Sequence, residues 1–394
     1  MWKAIAAAAL LMGLGGPVRA ADIAFWDAPR HGGNSFNQTP PDEAYFRALK
    51  ATGADWVRLT WSKWKGEGRD FLIGDADDYK GIPKSDLATL RRVMDAAQAA
   101  GIHVVLTPLS LPGDRWSQHN GGKTDDRLWS DKRYWAQSAA FWRDLASELK
   151  DHPALAGYNL INEPVPERGQ GLDEQALAEA RQAWYATHKG TARDLPGFYA
   201  HVIAAIREVD ADTPVMVDGG WYANAHSFAY WPTALSDTKV LYAFHMYEPY
   251  EATSGPNIKR DPPYRYPGYQ GWVGGEKVTW NREVLRAYMA APFDWAAAKG
   301  VPVNRVVAGE FGCVRVWADC AAYLGDVLDV LSERKAHWAF YSFREDVWDA
   351  MDYEIPPAFP SGRFYYLQEQ GKAAQIPRNG PLMDIIRAHM TLSF

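Results

Sequence analysis

Short apolar runs alternate with amphipathic helical stretches along almost the whole chain, and nothing constrains its fold more. The runs fall at residues 56–59, 104–107, 156–160, 215–217, 240–245, 306–310 and 338–342. They are near-continuous hydrophobics, as expected of parallel strands covered on both faces. An eighth is expected within 23–36, where Gly32 and Gly33 blur the pattern. Apolar residues at helical spacing mark 84–100, 134–150, 198–209, 282–299, 321–335 and 381–390. In 134–150, for example, Trp142, Leu145 and Leu149 share one face, with Asp144 and Glu148 off it. Strand and helix in alternation predict parallel βα units. Eight units in a chain of this length favour an α/β fold of one domain, a closed (β/α)8 TIM barrel, over an open doubly wound sheet. The open sheet would want a glycine-rich phosphate loop after its first strand, and HGGNSFN holds neither GxGxxG nor GxxxxGKS. Two insertions, 167–194 and 247–280, each follow a strand. Both are expected to crown the C-terminal face of the barrel and shape a cleft there.

The first residues read differently. Lys3, the apolar stretch 4–14 and Val18-Arg19-Ala20 form the n-region, h-region and cleavage pattern of a signal peptide over 1–20. The working domain is then 21–394, secreted or periplasmic, with no stable membrane association after cleavage. The formal net charge is −6, and loss of Lys3 and Arg19 makes it more acidic still. An acidic chain without a basic block has no electrostatic case for nucleic acid. Cys313 and Cys320 are the only cysteines. In an oxidising compartment they can close a small disulfide loop, and otherwise they remain two thiols. No metal-site spacing is present, and no cofactor is expected. The 18 tryptophans exceed what a core requires, because indoles are rarely fully buried. Their flat faces suit stacking on sugar rings, although a large aromatic core is the bland alternative.

Two strand ends carry acid. The apolar run of LAGYNLINEPVP stops at Asn162-Glu163-Pro164, since proline cannot continue the sheet. Val306–Glu310 ends likewise, with Gly309 and Gly312 around Glu310. These are the ends of the expected fourth and seventh strands, which barrel closure sets on opposite sides of one mouth. Two carboxyls facing one bond are what glycoside hydrolysis needs, one protonated and one charged. Arg58 sits between apolar neighbours in the second strand, and a buried guanidinium needs an anionic partner. His245 and Tyr247 fall on one side of the sixth strand by period-two alternation.

Together NLINEP, the preceding VRLTW, the later FHMY and the final GEFG resemble glycoside hydrolase family 5, the cellulase family of retaining β-glycosidases. The resemblance spans essentially the whole of 21–394. It implies Glu163 as acid/base, Glu310 as nucleophile, Arg58 as the partner of Glu310, Asn162 on the sugar 2-hydroxyl, and the Tyr247 hydroxyl near the nucleophile. The sequence departs from the family in two places. A His common after the third strand is missing from VVLTPLSLPGD, which has Leu109 and Ser110 there. The Trp common after the eighth strand is missing from HWAFYSFREDVWD, so Phe343 or Trp348 is expected in its place. Trp221 is the leading candidate for stacking beyond the cleavage site, ahead of Trp61, Trp64, Trp116, Trp272 and Trp317.

The expected function is an exported, monomeric retaining hydrolase of β-linked oligo- or polysaccharides, endo-β-glucanase-like, with mannan or a bacterial exopolysaccharide as alternative substrates. A non-catalytic carbohydrate-binding barrel is the competing class. An esterase has no support, since no GxSxG elbow occurs.

Overall fold

A computed structural model describes residues 22–174 and 176–390. The leader expected at 1–20 lies outside them. Eight parallel strands close a barrel: β1 (His31–Ser35), β2 (Trp56–Leu59), β3 (His103–Leu106), β4 (Leu155–Asn159), β5 (Val215–Asp218), β6 (Val240–Met246), β7 (Val306–Phe311) and β8 (His337–Phe340). Each pairs with its sequence neighbours, and β1 with β8 closes the ring. The fold is the expected TIM barrel. Among the described residues, no helix is long and apolar enough to cross a membrane.

The eighth expected strand is the second half of 23–36. Its first half, Ile23–Asp27, is instead a short 3-10 turn capped by Asp22. That turn drives Trp26 into the barrel, where it packs with Trp56, Val105, Ala156, Met216 and Leu241. The indole N–H donates to the Ala156 carbonyl at 3.2 Å, so its one polar atom is satisfied. The barrel interior is thus plugged with apolar side chains at the N-terminal end.

Period-two alternation then sets what lies above the plug. Trp56 is followed on the inner face by Arg58, Met216 by Asp218, and Leu241 and Ala243 by His245. A register shift between Phe244 and His245 places His245 directly opposite Glu310. Apolar residues below and ionisable ones above come from the same strands. The outer faces pack on helices such as Arg133–Leu149, where Trp142, Leu145 and Leu149 are buried as the periodicity predicts.

The insertion after β4 contains the helix Ala178–His188, and the one after β6 holds a two-stranded hairpin, Gln270–Val273 with Glu276–Thr279. Cys313 and Cys320 are disulfide-bonded, tying the segment after β7 to the helix Cys320–Glu333.

Candidate active site

Arg58 organises the mouth of the barrel. It is fully buried, and every nitrogen of its fork donates. Nε donates to Asn159 at 2.7 Å, and Nη1 to Glu310 at 2.5 Å and Asn34 at 3.3 Å. Nη2 reaches Asn162 at 2.8 Å and Asp218 at 3.1 Å. Partners from four strands or their ends, β1, β4, β5 and β7, therefore converge on one guanidinium. A buried cation is tolerable only with such saturation.

Glu310 takes the Arg58 bond on Oε1 and the Tyr247 hydroxyl, at 2.8 Å, on Oε2. Both donors fix the orientation of the carboxylate. Gly309 precedes it, and a Cβ there would stand 3.3 Å from His245 Nε2, so the small residue leaves room for the imidazole.

Glu163 occupies a left-handed backbone conformation, φ 48°, immediately before Pro164. A non-glycine residue there costs on the order of 1–3 kcal/mol. Its N–H donates to Asp218 Oδ2 at 3.1 Å, which ties the turn to β5. Its Oε1 meets His245 Nδ1 at 2.9 Å. Burial raises the Glu163 pKa, the nearby Glu310 charge adds to that, and the His245 hydrogen bond opposes them.

His245 is buried, which lowers its pKa, but Glu310, Glu163 and Asp218 together outweigh burial and raise it. Its Nδ1 lies 3.7 Å from Glu310 Oε2, and its Nε2 3.5 Å from Asp218 Oδ2. Arg58, His245, Asp218, Glu310 and Glu163 thus form one connected cluster of ionisable groups.

One oxygen of Glu163, one of Glu310 and a His245 ring nitrogen all lie within 4.8 Å of one another. Such spacing could hold a cation. Here Arg58 and Tyr247 already engage both oxygens of Glu310, an arrangement that suits a pair of carboxyls in different protonation states.

These groups open into a cleft of about 1170 Å³. Its aromatic lining includes Trp116, Trp221, Tyr222, Tyr250, Tyr341 and Trp348. Of the expected platforms, Trp221 and Trp348 line the cleft, as does the weaker candidate Trp116. Trp61, Trp64 and Trp317 are core residues instead, each under 5% exposed, and Trp272 stands exposed on the hairpin. Phe343 must be corrected. It is 1% exposed, packs edge-on against Tyr45 and Phe340, and has no place in the cleft. Tyr341, two residues earlier, faces the cleft with Trp348 beside it at 5.9 Å between ring centroids. Its hydroxyl donates to the buried Glu345 at 2.7 Å, and Lys63 reaches the other Glu345 oxygen at 2.5 Å. In the region of the missing His, Leu109 lines the cleft and the Ser110 hydroxyl accepts from the Trp116 N–H.

Sequence reasoning missed Asp218, Asn159, Asn34 and Tyr341. An acid ending the run VMVD was a signal of the same kind as Glu163. Glu167, expected on a charged insertion, is fully buried. It accepts from the Tyr230 hydroxyl at 2.6 Å and the Trp221 N–H at 3.3 Å, and so fixes the loop that carries Trp221.

Residues 21–346 match the family described as cellulase, glycosyl hydrolase family 5. A β-xylosidase of Phanerodontia chrysosporium is 25% identical over 301 residues, 75% of this chain and 51% of that protein. The chain thus spans about half the length of that curated relative. An endoglucanase of Pseudomonas stutzeri superposes with a TM-score of 0.61 at 18% identity, covering 93% of this chain and 97% of that one. The cellulose synthase subunit Z of Clostridioides difficile does so with 0.59 at 15% identity, over 92% and 100%. At these identities the two solved structures show likeness of fold. The family match covers most of the chain, which belongs to the cellulase family, glycosyl hydrolase family 5.

Proposed function

We propose that this family 5 glycosidase is a retaining enzyme that cuts β-linked glucan chains internally, with Glu163 as acid/base and Glu310 as nucleophile. One observation carries the reading: carboxyl oxygens of Glu163 and Glu310 lie within 4.8 Å. Retaining pairs stand about 5–5.5 Å apart, while inverting pairs need roughly 6.5–9.5 Å to admit a water between them.

In the first step Glu310 attacks the anomeric carbon while Glu163 gives its proton to the departing glycosidic oxygen. That bond breaks as a glycosyl ester forms on Glu310. In the second step Glu163, now charged, takes a proton from water, whose oxygen displaces the ester and restores Glu310. Arg58 and Tyr247 stabilise Glu310 as it leaves. Asn162 accepts from Arg58 Nη2 on its Oδ1 and keeps its amide N–H groups for a sugar hydroxyl.

Internal cleavage fits a cleft of about 1170 Å³, larger than the roughly 300–1,000 Å³ that holds a single small ligand. Glucan as substrate is supported by the endoglucanases among the structural relatives. The relation to a β-xylosidase favours a second reading, action on xylosyl linkages. The proposed place of work, secreted or periplasmic, rests on the leader-like residues 1–20.

A panel of β-glucan, mannan, xylan and aryl β-glycosides, with product-size analysis, separates these readings. Cello-oligosaccharides of several lengths are expected from glucan. Release of xylose alone would replace glucan with the xylosyl reading. Binding without new reducing ends on any glycan would point to a non-catalytic barrel.

A further inference from the structure

Two cavities meet beside Glu163. The main cleft extends from Phe36, Lys63 and Trp348, after β1, β2 and β8, to Glu248, Tyr250 and Ser254, after β6. These loops stand on well-separated parts of the barrel rim, so a sugar chain has a path across both carboxyls. A second cavity of about 370 Å³ opens between the loops after β3 and β4. The two share Leu109, Trp116, Ser117, Asn162, Glu163 and Tyr222, and the smaller one is therefore an arm of the cleft. The arm touches Glu163 but not Glu310, Tyr247 or Tyr341.

That asymmetry locates the arm along the substrate. Glu310 bonds to the sugar on one side of the broken linkage, and Glu163 protonates the oxygen that leaves with the other. A cavity bordering Glu163 alone adjoins the leaving sugar. Because the backbone already has its path in the main cleft, the arm is left for something that projects from the backbone. Its volume is at the low end for a small-ligand pocket, enough for a sugar unit but not for a chain.

The lining favours an uncharged sugar. Arg115 is spent on Asp70, Asp75 and Asp77, and Asp125 on Arg127, while the remaining Asp126 and Arg168 are of opposite sign. Burial, with the charge of Asp125 adding to it, pushes Asp114 up to about 7. A carboxyl raised so far can take up a proton and then donate as well as accept, which suits sugar hydroxyls. Trp116 and Tyr222 flank the mouth of the arm, and Arg168 holds Tyr222 through a 2.9 Å bond to its hydroxyl. We propose that this arm binds one uncharged glycosyl branch on the leaving-group sugar, which makes the preferred substrate a branched β-glycan. The proposal rests on the hydrolase reading above.

Thr124 is exposed at the arm and absent from the main cleft, so a Thr124→Trp substitution fills the one and spares the other. The probes are a cello-oligosaccharide with α-1,6-xylosyl branches and the unbranched oligosaccharide of equal length. The wild type is expected to cleave the branched probe with a kcat/KM at least tenfold higher. Thr124→Trp removes that advantage and changes the unbranched rate less than twofold. Equal wild-type rates, an advantage that survives the substitution, or a parallel fall on both probes would each overturn the proposal. Calorimetric binding of both probes to Glu310→Ala protein, with and without Thr124→Trp, separates this failure from that of the hydrolase reading. Branch-dependent affinity that Thr124→Trp abolishes supports the arm even where no glycan is cleaved. Equal affinity for the two probes overturns it.

Discussion

Glu310→Ala is expected to lower kcat/KM on any cleaved glycan by on the order of 10⁵-fold or more, with cooperative unfolding retained. In the proposed mechanism the carboxylate forms the covalent bond, and no neighbour can replace it. Glu163 stands on the leaving-group side of the bond, its pKa raised chiefly by burial, and Asp218 is fully buried behind Arg58. Arg58 keeps Asp218, Asn159 and Asn162 when Glu310 is lost, so its buried charge remains paired. Activity assays beside thermal unfolding check both halves. Turnover near the wild-type level in a folded variant would remove Glu310 from the chemistry.

Glu163→Ala is expected to cost about 10²–10⁴-fold on glycans. The loss should shrink on aryl glycosides with acidic leaving groups, which depart without a proton. In the proposed mechanism Glu163 works in its protonated form, and burial raises its pKa above the ordinary carboxylate value. On the alkaline side activity is therefore lost as the pH climbs through that raised pKa. In Glu163→Ala this alkaline limb of the kcat/KM profile disappears. Equal losses across leaving groups, with the limb unchanged, would assign the proton to another residue.

The barrel was legible because strand and helix each bury a face of fixed period, and those periods survive in one dimension. Seven strands fall within a few residues of the apolar runs. The first was blurred because β1 reads HGGNS, without the branched residues that mark a strand, and because Trp26 plugs the barrel from a 3-10 turn. Glu163 and Glu310 were legible as acids that end apolar runs. Their partners were less so. Asp218 ends its strand in the same way, but its role depends on a guanidinium reaching from β2 across the barrel, a contact no local pattern records.

Aromatic residues were the least legible part. Phe343 and Tyr341 are two positions apart, and the chain beyond β8 decides which ring turns inward to Tyr45 and which faces the cleft. Trp61 and Trp116 follow different strands with similar surroundings in sequence, yet one packs on Trp142 and the other lines the cleft. Burial of an indole is set by the helix or loop laid over it, which is tertiary information.

The stereochemistry of the first product tests the central claim most directly. Proton NMR of a β-glycan digest, recorded before mutarotation, should show the new reducing end appearing as the β-anomer. That result requires two displacements through a covalent intermediate, as the close approach of Glu163 and Glu310 implies. Initial appearance of the α-anomer would mean a single displacement by water and would contradict the retaining mechanism.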